Sequence, residues 1–175
     1  MAATAPAAAD SLARSPSASA VTGASGAAAG GDCCDIVVNP ALGRLGRLVI
    51  AFPDGADASS SHASVHKPGE NANLQSGYGA QAWDLIPGSY DLTLSGKRIG
   101  GVTIQSGHDT QLRVGTLRIK TGSSTAVAVM DADDKTKLTS GYGPQVIGLP
   151  VGTYRVKIAG QSEAVTIQKG KITDF

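Results

Sequence analysis

Two cysteines and two histidines are the side chains of this sequence best suited to hold a metal ion. Cys33 and Cys34 are adjacent, and His62 and His66 lie four residues apart. Together they would make a Cys2His2 set, a combination that binds zinc. Their spacing matches no known pattern of zinc ligands, so metal binding is kept as an alternative and the primary expectation is no metal and no cofactor. His108 follows a turn and is expected to be solvated.

The same cysteines could instead form disulfides. The chain has 2 cysteines in all, so neither can pair with a distant position of its own chain. In an oxidising compartment, leftover thiols tend to find partners. The favoured hypothesis is that Cys33 and Cys34 form intermolecular disulfides that link copies into a dimer, chain or filament. A pair of free thiols and a vicinal disulfide between the two neighbours, which closes an eight-membered ring, remain open.

No arrangement of residues in the sequence indicates catalysis. The run from Asp131 to Asp134 is rich in carboxylates, but it lacks the glycine and the distal glutamate of a calcium loop. It is better explained as a polar hairpin turn, because aspartate is common in turns. The sequence contains no nucleophile elbow and no phosphate-binding glycine loop after a strand. We therefore expect that the protein is not an enzyme.

The stretch Ser-Gly-Tyr-Gly occurs twice, at 76–79 and 140–143. One interpretation is a pair of ligand loops in which Tyr78 and Tyr142, with nearby Trp83, offer flat faces to a carbohydrate or a protein. The other is a structural bend that glycine permits, with an anchored tyrosine. The second copy has Ile147 in place of Trp83, which indicates a core position and favours the structural interpretation.

The two stretches belong to a longer repeat. Three further pairs of segments correspond in order: Gly46–Ile50 with Gly115–Ile119, Ser89-Tyr90 with Thr153-Tyr154, and Val102–Gln105 with Val165–Gln168. Apolar and polar residues alternate with a period of two in most of these segments, and the 23 glycines fall between short β-type runs. The pattern predicts an all-β protein made of two small tandem β-sandwich repeats, residues 35–114 and 115–175. The last strand of the first repeat is expected to run almost directly into the first strand of the second.

Residues 1–34 differ in composition. They are mostly alanine, serine and glycine, and they end with Cys33 and Cys34. Such a stretch buries too little apolar surface to offset the entropy of ordering, so we predict a flexible N-terminal arm. It lacks the basic start and apolar region of an intact signal peptide, but its composition is common just after a removed one. We therefore expect a secreted, cell-surface or periplasmic protein.

Charge and hydropathy exclude two classes of partner. The net charge is +1 and only 4% of the residues are aromatic, which gives no basic stripe and no stacking platform for nucleic acid. No apolar run is long enough to span a bilayer. The expected partners are therefore further copies of this chain or other surface proteins.

The order of motifs in the second copy resembles a known group of modules. A strand ending in aspartate with a polar turn is followed by Leu149-Pro-Val-Gly-Thr-Tyr154 and then by Val165–Gly170. This is similar to bacterial extracytoplasmic β-sandwich modules of the carboxypeptidase-regulatory-like and PEGA-like type, with a prealbumin-like or immunoglobulin-like fold. The resemblance implies a secreted accessory module, usually without catalysis, and it supplies no functional residues.

Together these observations favour a non-catalytic structural or assembly protein, a subunit or stalk of a bacterial surface fibre or layer. Copies would join by pairing of strand edges and by intermolecular disulfides. Ile36, Val37 and Val38 form a short apolar strand that could pair with the open edge of a neighbouring subunit. The same strand could equally be the first strand of its own domain. The alternative function is an accessory module that binds carbohydrate or protein through the Ser-Gly-Tyr-Gly loops.

Overall fold

The structure, a computed structural model, describes residues 32–175, and over this range the chain is all-β. The all-β part of the predicted fold class is confirmed: residues 32–175 form fifteen strands and one short 3-10 turn, Pro40–Leu42, but no α-helix. Residues 1–31 of the flexible arm predicted for residues 1–34 lie outside the described residues. Cys34 already belongs to the first strand, so the predicted boundary after residue 34 falls inside an ordered element.

The first half of the chain, with strands between residues 34 and 112, contributes two four-stranded sheets. Sheet A has the order β1-β8-β2-β5 and sheet B the order β4-β3-β6-β7. All neighbours are antiparallel except β2 and β8, which run parallel. The strands are β1 Cys34–Val38, β2 Gly46–Ile50, β3 His62–His66, β4 Asn73–Tyr78, β5 Gln81–Leu85, β6 Gly88–Leu94, β7 Lys97–Ile104 and β8 His108–Leu112.

The second half, with strands between residues 114 and 174, contributes sheet C with the order β12-β9-β15 and sheet D with the order β11-β10-β13-β14. Again a single pair, β9 and β15, is parallel. The strands are β9 Val114–Ile119, β10 Ala126–Asp131, β11 Lys137–Tyr142, β12 Gln145–Pro150, β13 Gly152–Ile158, β14 Gln161–Ile167 and β15 Ile172–Asp174.

Each half has its own hydrophobic cluster, drawn from both of its sheets. In the first half, Leu48 of sheet A and Leu92 of sheet B belong to one cluster. In the second half, Leu117 of sheet C and Val156 of sheet D belong to the other. The predicted period-two alternation explains this division, because alternate residues of a strand point to opposite faces of its sheet.

The two halves agree in fine detail. A β-bulge interrupts the β3–β4 pairing after Val65 and the β10–β11 pairing after Val129. A methyl group added at Gly46 would collide with the carbonyl oxygen of Gln105, and one added at Gly115 would collide with that of Gln168. The duplicated glycine is thus required at both places by the close approach of two backbones.

The halves meet along a seam with specific contacts. Only Arg113 separates β8 from β9, which agrees with the prediction that one strand runs almost directly into the next. The Phe52 ring fills the space where Gly148 lacks a side chain, so a Cβ there would collide with it. Ser61 Oγ accepts a hydrogen bond from the Gly148 amide at 2.7 Å, and Lys97 Nζ lies 2.6 Å from Asp131 Oδ2.

Candidate functional site

The residues considered for metal binding do not come together. Within residues 32–175, no group of three or more histidine, cysteine, aspartate or glutamate side chains is placed to hold a metal ion. His62 contacts Tyr78 edge to face, with ring centroids 4.9 Å apart. His66 is buried on the same strand and bonds to hydroxyl and carbonyl groups. The Cys2His2 alternative therefore has no support in the described geometry.

The two cysteines are paired with each other. A vicinal disulfide joins Cys33 to Cys34, and both side chains pack against the first hydrophobic cluster. This is one of the alternatives left open by the sequence. In this state neither sulfur is available for a bond to a second chain, so intermolecular linkage would require the vicinal bond to open first.

Asp35, next to the disulfide, ties β1 to both halves. Its carboxylate lies 2.7 Å from Arg113 Nη2 and 2.5 Å from Lys169 Nζ. The hydrogen bond from Arg113, supported by that from Lys169, lowers the pKa of Asp35 below its ordinary value. The position of β1 on the molecule is therefore fixed partly by charge at its N-terminal end.

The Ser-Gly-Tyr-Gly stretches form corners at which the chain passes from one sheet to another. The first ends β4 of sheet B and leads into β5 of sheet A, and the second ends β11 of sheet D and leads into β12 of sheet C. Gly79 and Gly143 have φ values of +71° and +75°, a left-handed conformation that glycine adopts without strain. Their amides donate to the carbonyl oxygens of Ser61 and Thr125, each at 2.9 Å.

The glutamine after each corner explains why the second residue of the Ser-Gly-Tyr-Gly stretch is glycine. Gln81 Nε2 donates to the Tyr78 carbonyl oxygen at 2.7 Å, and a Cβ on Gly77 would lie 2.6 Å from the Gln81 amide group. Gln145 occupies the same space against Gly141. The repeated glutamine was visible in the sequence, but only the fold shows that its side chain folds back over the corner.

The corner tyrosines point into solvent. Tyr78 is 68% exposed and Tyr142 is 75% exposed, so the bend is structural but its tyrosine is not anchored in the core. Trp83 is partly buried against the first hydrophobic cluster, and its counterpart Ile147 is buried in the second. The sequence-based core assignment of Trp83 fits this placement, and the tyrosines alone remain available as ligand-loop residues.

The other repeated tyrosines are structural. Tyr90 Oη donates to the Ile86 carbonyl oxygen at 2.7 Å, and Tyr154 Oη donates to that of Pro150 at 2.8 Å. Tyr154 is buried, and burial raises the pKa of its hydroxyl above the ordinary value. Both tyrosines fix the turn that precedes their strand, as in the tyrosine corner of β-sandwich proteins.

The outer face of sheet B carries a polar cluster that the sequence did not reveal. His66 Nε2 lies 3.0 Å from Ser64 Oγ and 3.1 Å from Thr93 Oγ1, and His66 Nδ1 lies 3.2 Å from the Ala72 carbonyl oxygen. Ser64 and His66 are both almost completely buried, so these two side chains are not open to a substrate. The cluster holds the β3–β4 loop, residues 67–72, against the sheet.

Asp91 holds the same loop. Its carboxylate accepts hydrogen bonds from the Gly69 amide at 3.0 Å, from the Gly101 amide at 3.2 Å and from Arg98 Nη2 at 2.9 Å. The Gly69 amide and then Arg98 lower the pKa of Asp91 below its ordinary value. Arg98 also donates to Asn71 Oδ1 and to the Glu70 carbonyl oxygen, so with the Gly69 amide and the Ala72 carbonyl oxygen four polar groups of the loop bond to this sheet face, which acts as a structural clamp.

A cleft of about 500 Å³ lies along the seam between the halves. Its walls are rich in hydroxyl groups and carry no Asp, Glu, Lys or Arg; the hydroxyl-bearing residues are Ser60, Ser61, Ser95, Thr139 and Ser140. The Ser95 Oγ is buried and has no hydrogen-bond partner in the described part of the chain. His62, in contact with exposed Tyr78, also lines the cleft. Such walls suit a small neutral ligand with many hydroxyl groups.

The exposed strand β1 is the most unusual surface of the molecule. Ile36, Val37 and Val38 are 49%, 44% and 69% exposed, although they are consecutive aliphatic residues of an edge strand. Within the chain β1 pairs with β8. It is therefore the first strand of its own domain, which was the second interpretation of this segment. The other edge of β1 has no partner strand within residues 32–175.

No helix of the described chain has the length and apolar character needed to cross a membrane.

Comparison with known proteins gives no family: no protein-family model and no curated protein matches the chain. The TIE protein of Bacillus anthracis is similar in structure at 17% identity and a TM-score of 0.32, over 74% of this chain and 33% of that one. A leucine-rich repeat protein from Bacteroides thetaiotaomicron is similar at 15% identity and a TM-score of 0.24, over 75% of this chain and 26% of that one. The chain thus spans about a third or less of these structures.

Proposed function

We propose that this chain is a non-catalytic extracellular assembly module, a subunit or stalk of a bacterial surface fibre or layer. In this proposal each half is a small β-sandwich repeat of the carboxypeptidase-regulatory-like or PEGA-like type, and the two repeats are stacked through the seam. The matched bulges, corners and glycine approaches in the two halves support the repeat assignment.

The observation that carries the assembly function is the edge strand β1. Native proteins usually protect an edge with charge, proline or a covering element, because exposed backbone groups and apolar side chains invite pairing with another chain. β1 instead presents Ile36, Val37 and Val38 to solvent. A strand of this kind is suited to β-augmentation, in which main-chain hydrogen bonds provide affinity between subunits.

Export of the protein is part of the same proposal. The disulfide between Cys33 and Cys34 is a bond that persists in oxidising compartments and is rare in the cytosol. If the vicinal bond opens, the same cysteines can join chains, which would add a covalent link beside the strand contact. Secreted, surface or periplasmic location therefore fits both the edge strand and the cysteines.

Light scattering after size exclusion tests this function on the full chain. We expect multimers whose size grows with protein concentration, with and without reductant, because strand pairing does not need the cysteines. Loss of large species on reduction alone would assign the contact to intermolecular disulfides. A monomer at every concentration, oxidised and reduced, would overturn the assembly function.

A second candidate function is supported by the exposed tyrosines and the seam cleft. Tyr78 and Tyr142 occupy equivalent corners, and Tyr78 contacts the His62 ring that lines the hydroxyl-rich cleft. Aromatic faces beside neutral hydroxyl groups suit a carbohydrate. Affinity electrophoresis in gels that contain soluble polysaccharides would show retardation that Tyr78→Ala reduces. Equal mobility with and without polysaccharide would remove this candidate.

A further inference from the structure

We propose that β1 of one copy pairs, through its outer edge, with β15 of the next copy, where it fills a missing fourth position of sheet C. This inference rests on the proposed assembly function and names its contact. The partner is a second copy of this chain, joined head to tail.

The first support is the comparison of sheets A and C. In sheet A, β8 is parallel to β2 on one side and antiparallel to β1 on the other. In sheet C, β15 is parallel to β9 in the same manner. Thr110 Oγ1 donates to the Thr103 carbonyl oxygen, and Thr173 Oγ1 donates to that of Thr166, so β8 and β15 are equivalent strands. Yet among residues 32–175 no strand pairs with the other side of β15.

The second support is the direction of the backbone groups of β15. The Phe175 amide donates to Arg118, and the Lys171 carbonyl oxygen accepts from the Thr116 amide, so these residues face β9. Backbone groups of a strand alternate between its two neighbours. Ile172 and Asp174 therefore direct their amide and carbonyl groups to the open edge.

The outer edge of β1 offers the matching set. The Asn39 amide donates to the Gly107 carbonyl oxygen, and the Cys33 carbonyl oxygen accepts from Arg113, so the odd-numbered positions of β1 face β8. The even-numbered positions, Cys34, Ile36 and Val38, face outward by the same alternation. An antiparallel register that sets Val38 beside Ile172 and Ile36 beside Asp174 uses every outward group of β15.

This register also avoids a charge conflict. It keeps Asp35 away from the position opposite Asp174, where two carboxylates would repel each other. Asp35 stays with Arg113 and Lys169 of its own chain, and Asp174 stays with Lys120 at 3.1 Å. Because each copy supplies one β1 edge and one β15 edge, the contact is heterologous and extends copy by copy into a chain.

Paired charge variants of the full chain test the contact. Val38→Lys places a charge on the donor edge, and Ile172→Glu places the opposite charge on the acceptor edge. We expect each variant alone to weaken self-association by about tenfold or more, because an unpaired charge is then forced against an apolar edge. A mixture of the two variants should recover multimers, since lysine then meets glutamate at one contact and wild-type edges meet at the next.

The matched control is Leu74→Lys, which introduces the same charge at an exposed aliphatic residue of another edge strand, β4. It should leave association unchanged. Circular dichroism and thermal unfolding of each variant check the fold, and recovery on mixing is itself a check because a misfolded chain cannot complement.

A cross-link measures the same contact without charge. In chains carrying Cys33→Ser and Cys34→Ser, the register places Val37→Cys of one copy opposite Thr173→Cys of another, at a separation of about 4.5 Å between Cα atoms that suits a disulfide. We expect the mixed pair to oxidise to a heterodimer, and Val37→Cys mixed with Leu74→Cys not to do so.

These experiments distinguish failure of the β1–β15 contact from failure of self-assembly as a whole. Multimers that survive Ile172→Glu but not Val38→Lys, with no 37–173 cross-link, would overturn the β15 contact and leave assembly through β1 in place. A 37–173 disulfide within a single chain carrying both cysteines, without dimers, would overturn the head-to-tail partner. A wild-type chain that never associates would overturn both.

Discussion

Sheets B and D have the same strand order and the same bulge, but their outer faces are built differently. In sheet B the outer face buries His66, which bonds to Ser64 and Thr93. At the equivalent positions sheet D has Met130, Ala128 and Lys157. The inward residues of both sheets are aliphatic apart from Tyr90, which packs against the first cluster, and Tyr154 in the second. Both sheets therefore keep the same register because their inward faces are alike, while their outward faces are free to differ.

The loops above these faces differ accordingly. The β3–β4 loop of sheet B spans residues 67–72 and is held by Asp91 and Arg98. The β10–β11 turn of sheet D is closed by Asp133, whose carboxylate accepts the amides of Lys135 and Thr136. The polar hairpin predicted for Asp131–Asp134 is thus confirmed. One half stabilises a longer loop with sheet side chains, and the other stabilises a short turn within itself.

Matched glycine substitutions in the two halves should show the largest difference in the free energy of unfolding. Gly96 and Gly160 both have left-handed backbones, with φ of +84° and +86°. A Cβ at Gly96 would collide with the Leu138 backbone across the seam, whereas one at Gly160 meets open space. We expect Gly160→Ala to cost about 1 kcal/mol from φ alone, and Gly96→Ala about 2–4 kcal/mol because overpacking is added. Urea unfolding of both variants measures the gap, and equal losses would contradict a tight seam.

Removal of the clamp on the 67–72 loop should have the next largest effect on the free energy of unfolding. Asp91→Ala leaves the Gly69 and Gly101 amides and Arg98 without their shared acceptor, so we expect a loss of about 1–3 kcal/mol in the free energy of unfolding. Arg155→Ala, at the equivalent position of sheet D, should stay within about 0.5 kcal/mol. A loss of similar size in both variants would show that the outer faces do not differ in stability.

The same clamp predicts a dependence on pH. The folded-state pKa of Asp91 is lowered, so its stabilisation is present above the unfolded value of about 3.9 and is lost as the pH falls through the folded value. Unfolding of the wild type should therefore become easier below about pH 4, relative to Asp91→Asn, which has no charge to lose. Parallel pH profiles of the two proteins would contradict the assignment.

The tyrosine corners offer a smaller contrast. Tyr154→Phe removes a buried hydroxyl that donates to Pro150, and we expect a loss of about 1 kcal/mol. Tyr90→Phe removes a hydroxyl that is open to water, so its loss should be about half as large. Thermal unfolding of both variants compares them, and a larger loss for Tyr90→Phe would reverse the expected order.

The smallest effect is expected at the exposed corner tyrosines. Tyr78→Ala and Tyr142→Ala should each change the free energy of unfolding by no more than about 0.5 kcal/mol, because their side chains are exposed. Unfolding curves that coincide with the wild type would leave these tyrosines free for a binding role. A loss above 1 kcal/mol in either variant would mean that the tyrosine supports the bend after all.

Much of the fold followed from the sequence because its signals are local. Alternation with a period of two predicted strands with one buried face, on which Leu92, Leu94 and Val156 lie, and the duplicated Ser-Gly-Tyr-Gly stretches marked bends. The parallel pairing of β2 with β8 joins segments far apart in the chain, and no local pattern specifies it. The sequence therefore predicted the strands and turns better than their order within the sheets.

The candidate site was predicted only in part. Ile36, Val37 and Val38 could be recognised as a detached apolar strand, but their exposure depends on β1 lying at the edge of a sheet. The hydrogen bonds of His66 could not be predicted from the sequence, because its partners Thr93 and Ala72 lie on another strand and in a loop. The vacancy beside β15 becomes visible only when sheets A and C are compared.

Hydrogen–deuterium exchange at several protein concentrations tests strand-edge assembly most directly. At low concentration the outward amides of Ile36, Val38, Ile172 and Asp174 should exchange quickly, since no partner protects them. At high concentration we predict that these four amides become protected together, while Leu74 on the β4 edge exchanges at an unchanged rate. Exchange at positions 36, 38, 172 and 174 that does not depend on concentration would contradict assembly through these two edges.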